Sequence, residues 1–407
     1  MLIACIDFSG HGHRLHLMRS IIKTIVEAGH NAICIMDETY PVKKWLDENC
    51  IDVDKNIIYY DYKCIIPTEL KWNKRFKDIQ IALQYWKQYN TVLKKIEKEN
   101  SLTVDIVVIN YIDVFLSCLM PHFLQNLFFD YRWAGLYVHT RYMRMFEHLG
   151  VQHKKTKISD IDYLFKSEKC IGIGVFDNGI NQALEFRLDK KVTLIPDITD
   201  VSTDNKVYPL ANEIIKMANG RMVVGSIGMS YYTGTLDLIK LAILCRDSDY
   251  FFVFCGMFDE AIYQQIQTAE DKELLKKFRQ NPSQNCIWKE YYLTDEFEYN
   301  AVFKTLDVIY MMYPEHYTSS NRLTKVAFFN KLVLASNKFC VGENVINNEL
   351  GEVAEPGNIR QQAEKLAVIE EKIKERKTPE ARRKEYYLQN NEAVFQIRIK
   401  EMLGLEY

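Results

Sequence analysis

The absences in this chain narrow its identity first. No two cysteines stand as C-x-x-C; the ten are scattered singly at positions 5, 34, 50, 64, 118, 170, 245, 255, 286 and 340. That spacing reads as reduced thiols and not as a disulfide framework, which predicts a cytoplasmic protein. Charge of one sign is also missing. With 52 Lys and Arg against 54 Asp and Glu the net charge is −2, which argues against a nucleic-acid binder. Long apolar runs are missing too: the most apolar window, 106–129, is broken by Asn110, Asp113 and Pro121, so no membrane span is expected. Met1 runs straight into a strand pattern, and no signal peptide is expected. There is no internal repeat and no low-complexity tract.

What is present is a globular composition, 48% apolar and 13% aromatic, over 407 residues. That is enough for two domains of about 200 residues, each with its own core. Short β-branched runs alternate with helical patterns, which predicts parallel sheets with crossover helices. In the first half the runs fall at 2–6, 32–36, 57–60, 106–109, 135–139, 170–175 and 192–195. Pro196-Asp197 and a polar stretch at 200–205 then mark a linker. A second series falls at 221–226, 250–255, 286–288, 308–312 and 332–335, and helices are expected at 359–374 and 379–402. The fold class is therefore α/β, two doubly wound Rossmann-like domains facing across a cleft. The expected divisions are 1–200, 201–378, and 379–407 packing back on the first domain. Ligands in such sheets bind outside the carboxyl ends of the strands.

Directly after the first run stands Ser9-Gly10-His11-Gly12-His13-Arg14, ahead of a helical stretch that ends in Gly29-His30. Glycines there let a ligand approach the backbone, and imidazoles add proton acceptors. His11-x-His13-x-x-His16 suggests a metal set, but no cysteine or carboxylate group completes a shell, and no metal is expected.

These residues resemble the GT-B fold glycosyltransferases, which move a sugar from a nucleotide donor to an acceptor. Gly10-His11-Gly12-His13 with Ala28-Gly29-His30 is similar to their acceptor-side opening, and the strand ending in His139 resembles one found in many members. Val192 to Asp200 is similar to the segment leading into their linker. In the second half, Gly225-Ser226-Ile227-Gly228 resembles the first donor-domain strand and loop, and Cys255-Gly256 the second strand and turn. Ser319-Ser320-Asn321-Arg322 followed by 330–336 resembles an element of family-4-like capsule and polysaccharide enzymes. Two departures stand out. Lys325 takes the place of a glutamate that accepts hydrogen bonds from the donor ribose, which an ammonium cannot do. The loop after Gly228 carries no basic pair.

The resemblance implies a metal-independent glycosyltransferase with a nucleotide-sugar as co-substrate and no other cofactor. The acceptor would be a glycan or lipid-linked sugar, in surface polysaccharide or glycoconjugate synthesis. His13 is the candidate base, with Asp113 as its carboxylate partner. Gly10, His11, Gly12 and His139 line the acceptor side; His139 reads equally well as a satisfied buried histidine. Donor contacts fall to Gly225, Ser226, Gly228, Cys255, Gly256, Ser319, Ser320, Asn321, Arg322 and Lys325. Arg322 at a helix start suits a diphosphate, or is simply a surface arginine behind a helix cap. The basic-aromatic stretches at 71–77 and Tyr85-Trp86-Lys87 suggest peripheral membrane contact, or plain solvated helix faces. The departures motivate an alternative, a non-catalytic scaffold with a degenerate donor site.

Overall fold

Runs of consecutive apolar residues become strands covered on both faces. In Leu2–Ile6 (β1), Ile3 and Cys5 join one core cluster while Ala4 and Ile6 join another, so successive side chains serve opposite faces of one sheet. The structure, a computed structural model, describes residues 1–8, 12–49, 54–65, 77–117, 122–375 and 380–405.

The chain divides into two compact units, Met1–Ile198 with Asn391–Tyr407, and Thr199–Asn390. The first holds β1, Asn31–Met36 (β2), Ile57–Asp61 (β3), Ile106–Ile109 (β4), Trp133–Tyr137 (β5), Cys170–Val175 (β6) and Thr193–Leu194 (β7). They form a seven-stranded sheet in the order β3-β2-β1-β4-β5-β6-β7, parallel throughout. The second holds Met222–Met229 (β8), Tyr250–Phe258 (β9), Cys286–Glu290 (β10), Val308–Met311 (β11), Leu332–Ser336 (β12) and Gly351–Ala354 (β13). Its order is β10-β9-β8-β11-β12-β13, again parallel. In each sheet the strand order reverses beside the first strand, between β1 and β4 and between β8 and β11. Each unit therefore has its own crevice at those carboxyl ends.

Three expectations need correcting. The strand expected at 135–139 spans Trp133–Tyr137, so His139 stands in the loop beyond it. The single helix expected at 379–402 is two, Glu380–Gln389 and Glu392–Leu403, broken where the Asn391 side chain caps the second by accepting from Val394 N–H. Only the second belongs to the first unit, so the return falls at Asn391 and not at 379. It lies so close to β6 that a Cβ at Gly172 would run into the Met402 carbonyl, and Ser20 donates to Glu392 at 3.1 Å.

The third correction concerns Trp86. Helix Lys77–Asn100 buries Ile79, Ala82, Trp86, Tyr89, Leu93 and Ile96, a stripe at alternating spacings of three and four. The Trp86 ring meets those of Phe115 and Phe129 at 4.9 Å and Trp133 at 5.3 Å. It is core, not a membrane-facing aromatic, and its truncation to alanine would cost about 3–5 kcal/mol. Residues 71–76 lie outside the described residues.

Candidate functional site

At the end of β1 the chain buries a carboxylate, Asp7. A buried charge needs a partner, and Arg14, in the first turn of helix His13–Glu27, supplies it. Its Nε lies 3.2 Å from Asp7 Oδ2 and its Nη2 3.0 Å from Oδ1. Asn110, just past β4, donates to Asp7 Oδ2 at 2.5 Å and to the Arg14 carbonyl at 2.9 Å. The guanidinium is held between the rings of Phe8 and Tyr111, at 3.8 and 4.1 Å. This network spans the switch point of the first sheet and fixes where the helix begins. Gly12 precedes the helix at φ 61°, a conformation glycine adopts without strain.

His13 follows. Its Nε2 lies 2.9 Å from Asp197 Oδ1, and the imidazole is the more exposed of the two, 23% against 8%. A carboxylate behind a histidine orients the ring and offsets the charge it gains on taking a proton. The carboxylate expected in that role, Asp113, serves elsewhere. It accepts from the backbone N–H groups of Val138 at 3.2 Å and His139 at 2.8 Å, and lies 3.7 Å from His139 Nδ1. Burial pushes the Asp113 carboxyl above its usual value, opposed by the His139 imidazole and those N–H donors. Pairing His13 with Asp113 is therefore corrected to Asp197. His139 is exposed and not a buried histidine. Gly10 and His11 lie outside the described residues.

In the second unit the carboxyl ends of β8 and β9 bound a pocket of about 350 Å³ whose lining includes Gly228, Thr233, Gly256, Met257, Tyr299 and Arg322. Its floor depends on glycine. Gly228 and Gly256 sit at φ 95° and 103°, and a Cβ on Gly256 would stand 2.7 Å from the Gly228 nitrogen. Arg322 begins helix Asn321–Phe328; it donates to the Ile227 carbonyl, and its Nη1 lies 3.4 Å from the Tyr313 hydroxyl. Among the described residues no carboxylate forms an ion pair with Arg322. Its positive charge is met only by neutral oxygens, which suits the pocket to an anion.

The remaining donor-side candidates stand back from this pocket. Gly225 faces Val253 and Leu306, and the Ser226 hydroxyl is buried 3.5 Å from the Gly228 carbonyl. Cys255 is fully buried, which pushes its thiol up to about 12. Ser319, Ser320 and Asn321 do not line the pocket; Ser320 is the N-cap residue without a side-chain cap bond, and the Ser319 carbonyl pairs with His316 at 2.8 Å. Lys325 is also displaced from the expected role. Its ammonium lies 2.6 Å from Asn300 Oδ1 and 3.4 Å from Glu296, 4.2 Å from the Tyr299 ring centre, and burial lowers its pKa. It reaches the pocket only by packing on Tyr299.

Sequence reading missed Asp197, Asp7 and Arg14 in the first unit, and Thr233, Met257 and Tyr299 in the second. Asp7 had a signal, an acid immediately after an apolar run. Asp197 had a weaker one, an acid in the turn after β7. Among the described residues no group of three or more His, Cys, Asp or Glu is placed to hold a metal ion, and no helix is long and apolar enough to cross a membrane.

No protein-family model matches this chain, and no curated protein sequence does either. Solved structures do. HepE of Anabaena in complex with UDP-glucose superposes with a TM-score of 0.64 at 13% identity, covering 99% of both chains. A glycosyltransferase from Rickettsia africae gives 0.61 at 14%, covering 100% of this chain and 99% of the other. Sucrose-phosphate synthase from Thermosynechococcus elongatus gives 0.63 at 14%, covering 99% and 98%. The chain has the GT-B fold.

Proposed function

We propose that the protein transfers a glycosyl unit from a nucleotide-sugar to a hydroxyl of a glycan or lipid-linked acceptor, without a metal, in surface polysaccharide or glycoconjugate synthesis in the cytoplasm. The observation that carries this reading is Arg322, a cation with no carboxylate partner among the described residues, lining a glycine-floored pocket on a GT-B donor-type domain. Its guanidinium would take the charge that develops on the leaving nucleoside diphosphate. His13, backed by Asp197, would accept the acceptor hydroxyl proton as that oxygen bonds to the anomeric carbon and the bond from carbon to diphosphate oxygen breaks. The UDP-glucose held by HepE makes a UDP-sugar the first donor to try.

The test is a thermal-shift screen with UDP-, GDP-, CMP- and TDP-sugars on the wild type and Arg322→Gln. A donor at about a hundred times its Kd stabilises the native state by about 2.7 kcal/mol. A shift with one donor that disappears in Arg322→Gln supports the reading. The loop 229–233, without Arg or Lys, and the buried Lys325 favour a second reading, a scaffold that has lost its donor site. No shift with any nucleotide would select it.

A further inference from the structure

A second feature of the first unit lies apart from the residues assigned above. Between β5 and β6, residues 141–157 carry five cationic side chains, Arg141, Arg144, Lys154, Lys155 and Lys157, against a single acid, Glu147. The chain as a whole is at −2, so this is a local excess. Arg144 is buried on Asp177 at 2.6 Å and belongs to the interior. The three lysines do not. Lys154 and Lys157 form no ion pair among the described residues, and Lys155 lies 3.8 Å from the highly exposed Asp189. Lys154 and Lys155 also donate to carbonyls, those of Leu149 at 2.8 Å and Phe186 at 2.7 Å.

Large apolar side chains stand out among these lysines. Leu149 is 57% exposed, Phe186 51% and Ile158 50%. The Lys155 ammonium sits 4.5 Å from the Phe186 ring centre, so charge and apolar surface are in contact. Tyr142, Phe146, Leu149 and the three lysines share the lining of a pocket of about 230 Å³ with Asp160, whose carboxylate is answered by Arg187 at 2.9 Å.

We propose that this face docks on an anionic lipid bilayer, with Leu149 and Phe186 entering the interface and a lipid phosphate seated beside Lys154, Lys155 and Lys157. The combination argues for that occupant. A nucleic acid would be met by the lysines alone and would leave the protruding leucine and phenylalanine facing solvent. A lipid surface accepts both, because lysine stems lie along the apolar layer while their ammonium groups stay among the phosphates. The proposal does not rest on the reaction proposed above and uses none of its residues.

Co-sedimentation of the full chain with vesicles tests it. Phosphatidylcholine alone is compared with a mixture containing about a third phosphatidylglycerol, at about 0.1 and about 0.5 M salt. Wild type should pellet with the anionic vesicles, less at high salt, and not with phosphatidylcholine alone. Each lysine near an anionic surface is worth about fivefold in binding, so Lys154→Gln, Lys155→Gln and Lys157→Gln together should weaken it on the order of a hundredfold. Leu149→Ser with Phe186→Ser should weaken binding while keeping its salt dependence. All the altered side chains are exposed or half-exposed, and an unchanged thermal midpoint confirms folding. The proposal is overturned if wild type ignores anionic vesicles, if it binds phosphatidylcholine equally, or if the lysine triple variant binds like wild type. It is also overturned if millimolar inorganic phosphate abolishes binding at constant ionic strength, which would mark a free-anion site.

Discussion

At the carboxyl end of β1 the chain places a buried carboxylate answered by Arg14, Asn110 and two rings, and beside it a histidine on Asp197. At the corresponding end of β8 it places two glycines at positive φ and one arginine answered by a carbonyl and a phenol. The frame is the same, a doubly wound sheet reversing at its first strand, yet the chemistry differs. Charges at the β1 rim are matched, Asp7 by Arg14 and Asp197 by His13, which orders the rim; in the proposed reaction the His13–Asp197 pair would handle the proton. The charge in the second is unmatched by any described carboxylate, which leaves it available to a ligand. A doubly wound sheet fixes where a site lies, and under the proposed function the pairing of charges there would separate proton transfer from anion capture.

The comparison can be broken most sharply at His13. His13→Ala should lower kcat for glycosyl transfer by about a thousandfold while the thermal shift produced by the donor stays as in wild type. Loss of both together would mean the two rims do not divide the work. The next largest effect belongs to the pocket floor. Gly256→Ala forces a Cβ to 2.7 Å from the Gly228 nitrogen at φ 103°, so urea unfolding should show a loss of about 3 kcal/mol and the donor shift should vanish. A variant as stable as wild type would show that the backbone there is not held as described.

Asp7→Asn sharpens the first rim. It leaves the Arg14 charge in a partly buried site without its partner, and the expected cost is about 2 kcal/mol in the same unfolding measurement, discounted for the exposure of Arg14. Equal stability would mean the rings alone hold the guanidinium. The smallest effect is that of Lys325→Met. Burial lowers the folded-state pKa of Lys325 below 10.5, so the unfolded chain holds that proton more tightly. Wild-type stability should therefore rise as pH climbs from the folded pKa toward 10.5, a gain the variant lacks. The variant should compare best with wild type at neutral pH and lose ground in alkali; a pH-independent gap would remove the buried ammonium from the account.

The two sheets were legible because parallel strands covered on both faces are continuous apolar runs. The strand β13 was not, because Gly351-Glu352-Val353-Ala354 at the sheet edge has no such run. Trp86 was misread because a basic-aromatic string looks alike whether its aromatics face inward or outward; the stripe from Ile79 to Ile96 decides it. Position within the chain put His13 at the end of β1 and Arg322 beside the β8 pocket but did not give their neighbours. Asp113 and Asp197 both follow strands, and nothing local says which one a histidine 100 or more residues earlier will meet. Lys325 is expected among the donor contacts, but Asn300 and Glu296, contributed by another helix, determine where its ammonium points.

Helix Glu392–Leu403 carries a consequence for how the protein is made. Phe395, Ile399, Met402 and Leu403 complete a core cluster of the first unit, so that unit waits on residues synthesised after the entire second unit. At ribosomal speeds of about 5–20 residues per second, the interval between Ile198 and Asn391 lasts roughly ten to forty seconds. During that time the groove over Gly172 stands open to whatever apolar surface is nearby, and the nascent chain is most open to capture by chaperones or by its neighbours on a polysome.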